Sequence, residues 1–307
     1  MNEKVSVLQV DNLSVSFSMY NKGLSKRDLE VIHELSIDVK KGEIVAVVGS
    51  SGSGKSLLAH AIMGILPENS KTKGSIKYYN YELNEKYLRK VRGKDIAFIP
   101  QSVDFLDPLM KVGKQVVGIN GNKERQKEVF KKYNLDDKVA EMYPFQLSGG
   151  MARRVLIATA VMNEAKLIIA DEPTPGLNLE LAMETLNNFR EIADSGCGVL
   201  LITHDVDLAL NVADRIAVFY SGTIVEIAQV EDFIKGKDAL RHPYSKAFID
   251  ALPQNKFKEL PGYQPYAGNL PKGCLFRDRC SLKTDECCME IKMRKIRDGE
   301  VRCINAT

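Results

Sequence analysis

Leu13, Val15, Phe17 and Met19 alternate with Ser14, Ser16 and Ser18, a period of two that predicts a half-buried strand. A polar stretch from Asn21-Lys22-Gly23 to Asp28 predicts a turn, and the alternation resumes from Val31 to Val39. Glu43 to Val48, Ile96 to Ile99, Leu167 to Ala170 and Val199 to Ile202 are instead almost unbroken apolar runs. Such runs predict strands buried on both faces, as in an open α/β sheet with parallel strands. Leu57 to Met63 predicts a helix, and short strands are expected near Ser75–Tyr79. Residues 102–147 are rich in Lys and Glu and poor in β-branched runs, which predicts an inserted helical segment. Ser148 is placed to cap the helix that follows through Arg154, Ile157 and Val161. Ile216–Tyr220 and Thr223–Ile227, split by Ser221-Gly222, predict a closing hairpin.

The pattern changes beyond about residue 236. His242-Pro243-Tyr244 opens a short helix reaching Leu252-Pro253, and then Pro261-Gly262, Pro265 and Gly268 to Gly273 break up any regular element. This tail has little core-forming periodicity. It carries all but one of the six cysteines: Cys274, Cys280, Cys287, Cys288 and Cys303, with Cys197 apart.

Composition narrows the class only a little. With 307 residues the chain fits one large domain or roughly two, at about 150 residues each. A net charge of +3 gives no reason to expect nucleic-acid binding. No apolar run approaches the roughly 20 residues of a membrane span, and no signal-peptide core follows Met1. A cytosolic chain is expected, and any membrane association must come through a partner. In a reducing compartment the cysteine-rich tail points to a metal site rather than a disulfide framework.

The strongest chemical signal is Gly49-Ser50-Ser51-Gly52-Ser53-Gly54-Lys55-Ser56, a P-loop between an apolar strand and a helix. Its glycines let backbone N–H groups converge, and the helix N-terminus adds its positive end, so the loop can cradle a polyphosphate. Lys55 is placed to reach the β- and γ-phosphates, and Ser56 to hold Mg²⁺. An aromatic at the end of the first strand could stack on adenine. Phe17 is the first choice and Tyr20 the second, with Phe17 as plain core an equal alternative. The run at 167–170 ends in Asp171-Glu172 and the run at 199–202 leads to His204, all at strand exits, where open α/β sheets bind ligands.

Taken together, the P-loop, Gln101, the Leu147-Ser148-Gly149-Gly150-Met151 box, Asp171-Glu172 and His204 resemble the ATPase subunit of an ABC transporter, from about residue 5 to 235. The tail resembles the C-terminal extension of ATPases from dipeptide, oligopeptide and nickel importers, through His242-Pro243-Tyr244, Leu252-Pro253, Gly273-Cys274, Arg279-Cys280 and the last cysteine. The resemblance implies a P-loop NTPase fold, an ABC nucleotide-binding domain with a mixed-sheet core and an antiparallel β subdomain. That domain would cover 1–235, with a helical subdomain at about 102–163, and a small irregular extension would cover 236–307.

The resemblance also assigns roles. Asp171 would hold the Mg²⁺ shell with Ser56, and Gln101 would touch Mg²⁺ or water. Glu172 would be the general base, and His204 would sense the γ-phosphate. Ser148, Gly149 and Gly150 would bind the ATP of an opposite subunit in a head-to-tail dimer, so an isolated subunit would hydrolyse ATP poorly. Two departures stand out. Asn178 takes the place of an aspartate in the turn after Glu172, and Met151-Ala152-Arg153-Arg154 lacks the family's usual glutamine. Neither lies on the hydrolysis path.

Cys274, Cys280, Cys287 and Cys303 follow the spacing that holds an iron–sulfur cluster in relatives. Four thiolates suit [4Fe–4S] or tetrahedral Zn²⁺ equally, and Cys288 makes the third ligand ambiguous. The cysteines are far in sequence from every phosphate motif, so a structural rather than a hydrolytic role is expected. The implied function is an ATP-hydrolysing subunit at the cytoplasmic face of the membrane. It would power import of a peptide or nickel-type solute through two permease subunits, fed by an extracytoplasmic binding protein. A second, different ATPase chain is the favoured dimer partner. An exporter ATPase is opposed by the tail. An ABC protein acting on ribosomes or DNA is opposed by the single cassette and the absence of a long coiled-coil insertion.

Overall fold

The computed structural model describes residues 5–20, 25–118, 121–252, 255 and 257–306. The turn expected at Asn21-Lys22-Gly23 and the Pro253 end of the tail helix lie outside these residues.

The alternating segments form the long strands β1 (Ser6–Tyr20) and β2 (Lys26–Lys40), which pair antiparallel from Ser6↔Lys40 to Tyr20↔Lys26. After β3 (Ile44–Val48) and helix α1 (Lys55–Met63), β4 (Ser70–Tyr78) and β5 (Tyr81–Glu82) complete a four-stranded sheet in the order β2-β1-β4-β5. This antiparallel sheet is more extensive than the short strands expected near residue 75. The pairing of β4 with β1 spans residues 70–78, although its alternation is blurred by Lys71, Lys73 and Gly74.

Helix α2 (Glu85–Val91) leads to β6 (Ile96–Ile99). Every regular element described between β6 and the next strand is helical, as expected: α3 (Val112–Val117), α4 (Lys123–Lys132), α5 (Gly149–Val161) and short 3₁₀ turns. Then come β7 (Leu167–Asp171), α6 (Leu179–Asp194), β8 (Gly198–Thr203), α7 (Val206–Leu210), β9 (Arg215–Tyr220), β10 (Thr223–Gln229), α8 (Val230–Ile234) and α9 (Pro243–Asp250).

Strands β9, β3, β8, β7 and β6 lie side by side and parallel, and β10 adds antiparallel to β9. Because successive side chains in a strand point to opposite faces, β3 feeds two cores. Ile44, Ala46 and Val48 pack with the helical insertion and α6, while Val45 and Val47 pack with α1 and the β1–β2 sheet. Both faces are covered, so the strand reads as apolar throughout.

The tail contains more regular structure than its periodicity suggested. The two short strands β11 (Arg294–Ile296) and β12 (Gly299–Val301) extend the main sheet to eight strands, with Val301 opposite Glu226 of β10. Three residues are too few to display an alternation, which is why the sequence pattern did not reveal them.

Candidate functional site

The P-loop bends around glycines in the left-handed region, Gly52 at φ 73° and Gly54 at φ 105°, conformations costly for residues with a Cβ. At Gly49 the constraint is space: a Cβ there would sit 2.4 Å from the Phe219 carbonyl oxygen of β9. Lys55 begins α1 and is buried, and its ammonium donates to the carbonyls of Gly49 and Ser50, both at 2.9 Å. Burial pushes its pKa down, while the charges of Glu172 and Asp171 pull it back up. Ser53 is buried, whereas Ser51 and Gly52 stand at the exposed crest of the loop.

The carboxyl end of the parallel sheet brings the acids to the loop. The Ser56 hydroxyl donates to Asp171 Oδ1 at 3.2 Å. Burial raises the Asp171 pKa and the Glu172 charge adds to the rise, while the Ser56 hydrogen bond opposes them. Glu172, just beyond β7, adopts φ 48°, a left-handed conformation rare without glycine. Its N–H donates to the Ile202 carbonyl of β8 at 2.9 Å, which pins the turn. The turned residue places Glu172 Oε2 2.7 Å from His204 Nδ1, with the carboxylate buried and the imidazole 60% exposed. Strained backbone of this kind costs of order 1–3 kcal/mol and persists where surrounding structure holds it.

Gln101 is exposed at the end of β6. Its carbonyl accepts from Arg153 Nη2 at 2.5 Å, and the Pro100 carbonyl accepts from Arg153 Nη1 at 2.9 Å. Arg153, buried on α5, therefore ties the helical insertion to the exit of β6. This residue has little prominence in the sequence, where the only signal is a pair of arginines, Arg153 and Arg154, on a mainly apolar helix. Burial lowers the Arg153 pKa, and the charges of Asp171 and Glu172 counter that effect.

Ser148 caps α5, its hydroxyl accepting from Met151 N at 3.3 Å. Ser148 and Gly149 are exposed, and no hydrogen bond among the described residues joins Ser148, Gly149 or Gly150 to the P-loop of the same chain. Asn178 caps α6 by accepting from Leu181 N at 2.9 Å. Asn serves that position as well as Asp does, so the departure at 178 leaves the helix start intact. Phe17 is half-buried against the β1–β2 core, while Tyr20 is 68% exposed with the Lys26 ammonium 5.3 Å from its ring centre.

In the tail, Cys274, Cys280, Cys287 and Cys303 lie near one another. Burial pushes the thiols of Cys280 and Cys303 up, and that of Cys274 up to about 11. Cys287 is buried, whereas Cys288 is exposed and accepts from Arg277 Nη1 at 3.3 Å. Among the described residues no group of three or more His, Cys, Asp or Glu side chains is gathered for a metal ion.

Parallel strands exiting into a P-loop, a Ser–Asp pair and a Glu–His pair define an ATP-binding cassette. The ABC transporter family matches residues 32–175, and the family of the oligopeptide/dipeptide transporter C-terminal region matches residues 225–287. The chain is 33% identical to the dipeptide transport ATP-binding protein DppD of Haemophilus influenzae, over 97% of this chain and 95% of that protein. It is 34% identical to the oligopeptide transport ATP-binding protein OppD of Bacillus subtilis, over 90% and 81%. A bacterial ABC transporter cassette solved as a dimer superposes with a TM-score of 0.65 at 26% identity, covering 73% of this chain and 98% of that one. A dimeric cassette captured after hydrolysis with ADP and phosphate gives 0.64 at 25% identity, over 73% and 98%. The chain belongs to the family of ABC transporter ATP-binding subunits, in the dipeptide and oligopeptide branch. It is an ATPase of the ABC type.

Proposed function

We propose that this chain energises peptide import, hydrolysing ATP at the cytoplasmic face of a membrane on behalf of separate permease subunits. The observation that carries the reading is the pairing of Glu172 with His204 at 2.7 Å, beside the Ser56–Asp171 pair. Phosphoryl transfer to water needs positioning and charge neutralisation more than covalent help. Lys55 and the P-loop backbone from Gly49 to Gly54 hold the phosphates. Ser56 and Asp171 are hard oxygen donors suited to Mg²⁺, which neutralises phosphate charge when bound. Glu172 takes a proton from the attacking water, and His204 keeps its carboxylate aimed while facing solvent where the γ-phosphate would lie. Gln101 contributes from the edge of the helical insertion, and Phe17 or Tyr20 covers the adenine.

Ser148, Gly149 and Gly150 are open at a helix start and unoccupied by their own P-loop, which supports use of a partner's ATP in a head-to-tail dimer. A second, different ATPase chain remains the preferred partner. No helix among the described residues is long and apolar enough to cross a membrane, so attachment falls to permeases. Near Gln101 the exposed apolar side chains Phe105, Leu109 and Met110 offer them a docking surface. The names of the relatives favour peptides over nickel as the solute, delivered by an extracytoplasmic binding protein. The division into a cassette at 1–235, with its helical part at about 102–163, and an extension at 236–307 belongs to this same reading.

Glu172→Gln tests the assignment. It keeps the shape and removes the base, so ATPase turnover of the assembled transporter should fall by at least about 100-fold while ATP still binds. Near-normal turnover sinks it.

A [4Fe–4S] cluster on Cys274, Cys280, Cys287 and Cys303 suits a donor set made only of thiols. Buried thiols with raised pKa values are neutral when free, and a metal centre would relieve that cost by taking them as thiolates. Four thiols suit tetrahedral Zn²⁺ as well as the cluster, and the preference for [4Fe–4S] rests on the family resemblance alone. Chain purified without oxygen should be brown and contain iron and sulfide. Cys280→Ser should bleach it and Cys288→Ser should not. Zinc would overturn the cluster, and metal-free chain that folds and functions would remove the site.

A further inference from the structure

Ser50, the second residue of the P-loop, is held from the far end of the chain. Gln264 Nε2 donates to the Ser50 hydroxyl across 214 residues of sequence. The hydroxyl of Tyr244, buried on α9, faces the Ser50 side chain and backbone, contacts that offset part of the upward push of burial on its pKa. The carbonyl of that same Ser50 accepts from the Lys55 ammonium at 2.9 Å. Ser50 thus links two tail side chains to the lysine that reaches the phosphates.

Both tail residues are themselves fixed. The Tyr244 ring packs on Tyr220, centroids 4.5 Å apart, and on Phe276 at 5.4 Å. The segment leading to Gln264 is pinned by Arg279, whose guanidinium donates to the carbonyls of Leu260 and Pro261, both at 2.9 Å. On the other side of the loop there is no such support among the described residues. Ser51 and Gly52 are exposed, and a Cβ at Gly52 would meet nothing within 4 Å. The tail therefore braces the inner edge of a loop whose crest is unpacked.

We propose that Gln264 and Tyr244 are positioning residues for ATP, setting the P-loop and Lys55 through Ser50. The expectation of a structural rather than a hydrolytic role concerns the tail's cysteines, and it stands beside this proposal. The tail's sequence distance from the phosphate motifs is no guide to its place in the fold. The proposal rests on the P-loop being the phosphate site.

The test uses the purified full chain for equilibrium ATP binding, and the chain with its partner subunits for steady-state ATPase. Gln264→Leu keeps the bulk and removes the donor. It should weaken ATP binding and raise KM roughly 3- to 10-fold, the scale of one lost hydrogen bond, with kcat within about twofold. Tyr244→Phe, which keeps the ring between Tyr220 and Phe276, should give the same KM-only change and serves if Gln264→Leu folds poorly. Ser50→Ala should reproduce the effect, and Ser50→Ala combined with Gln264→Leu should be no worse than either alone. Unchanged KM in both tail variants, multiplying effects in the double variant, or a fall in kcat alone would overturn the brace. Lys55→Ala is run in parallel. ATP binding that survives it would overturn the phosphate-site reading, and the brace with it, by a different route.

Discussion

The P-loop region and the C-terminal tail satisfy the same backbone in opposite ways. Around the P-loop, parallel ladders pair β9, β3, β8, β7 and β6, so main-chain donors and acceptors are consumed within the sheet. In the tail, carbonyls are taken up one by one by arginine forks. Arg279 serves Leu260 and Pro261, and Arg294 serves Cys303, Ile304 and Ala306 at 3.0, 2.8 and 3.2 Å. Arg241 reaches Ile296 at 2.7 Å, and Arg302 reaches back to the Glu34 carbonyl at 2.7 Å. Five planar donors per guanidinium suit this task. A sheet shares its load among many equivalent bonds, whereas the tail depends on a few side chains. The tail should therefore be the more fragile region to single substitutions.

The sharpest way to expose that difference is Glu226. It is fully buried on β10 and accepts from the backbone N–H groups of Arg241 and His242, both at 2.8 Å, where the tail helix begins. The Arg241 guanidinium, also buried, lies 3.4 Å from it and 2.9 Å from Asp232. Glu226→Ala leaves two N–H groups and part of a buried charge unanswered, which should destabilise the tail by about 3–5 kcal/mol. Limited proteolysis should cut beyond residue 236 while the parallel strands β9, β3, β8, β7 and β6 survive, and chemical denaturation should show a separate early transition. One unchanged cooperative transition would mean that the two regions are not held differently.

The same contrast explains what could be read in advance. Residues 44–48, 167–170 and 199–202 revealed their strands because burial on both faces writes itself into every position. Asp171, Glu172 and His204 followed, since strand exits in such a sheet face one edge. Arg153 did not, because its partners are carbonyls at residues 100 and 101, which no side-chain pattern encodes. Gln264 was invisible for a different reason, since its partner is a side-chain hydroxyl 214 residues away. A glutamine in an irregular stretch announces nothing until the fold carries it to Ser50. The left-handed turn at Glu172 was equally hidden, because it is imposed by the Ile202 carbonyl rather than by a glycine.

A smaller effect separates the regions by pH. His242 caps α9, its Nδ1 accepting from Tyr244 N at 3.0 Å, and it is buried with the Phe276 ring 5.8 Å away. Burial pushes its pKa down from 6.5 to about 3, so the folded chain holds it neutral. The unfolded chain binds a proton below pH 6.5 that the folded chain refuses, so this stability is complete above pH 6.5 and is lost as pH falls toward 3. Between pH 6.5 and 5 the loss should reach about 2 kcal/mol. His242→Asn retains a capping side chain without the titration, so the difference between the two unfolding curves isolates the effect from other histidines. The wild-type chain should lose stability more steeply than the variant across that window, with the tail transition moving first. Parallel curves would show that the His242 ring takes a proton in the folded chain, and that the base of the tail is wetter than its packing implies.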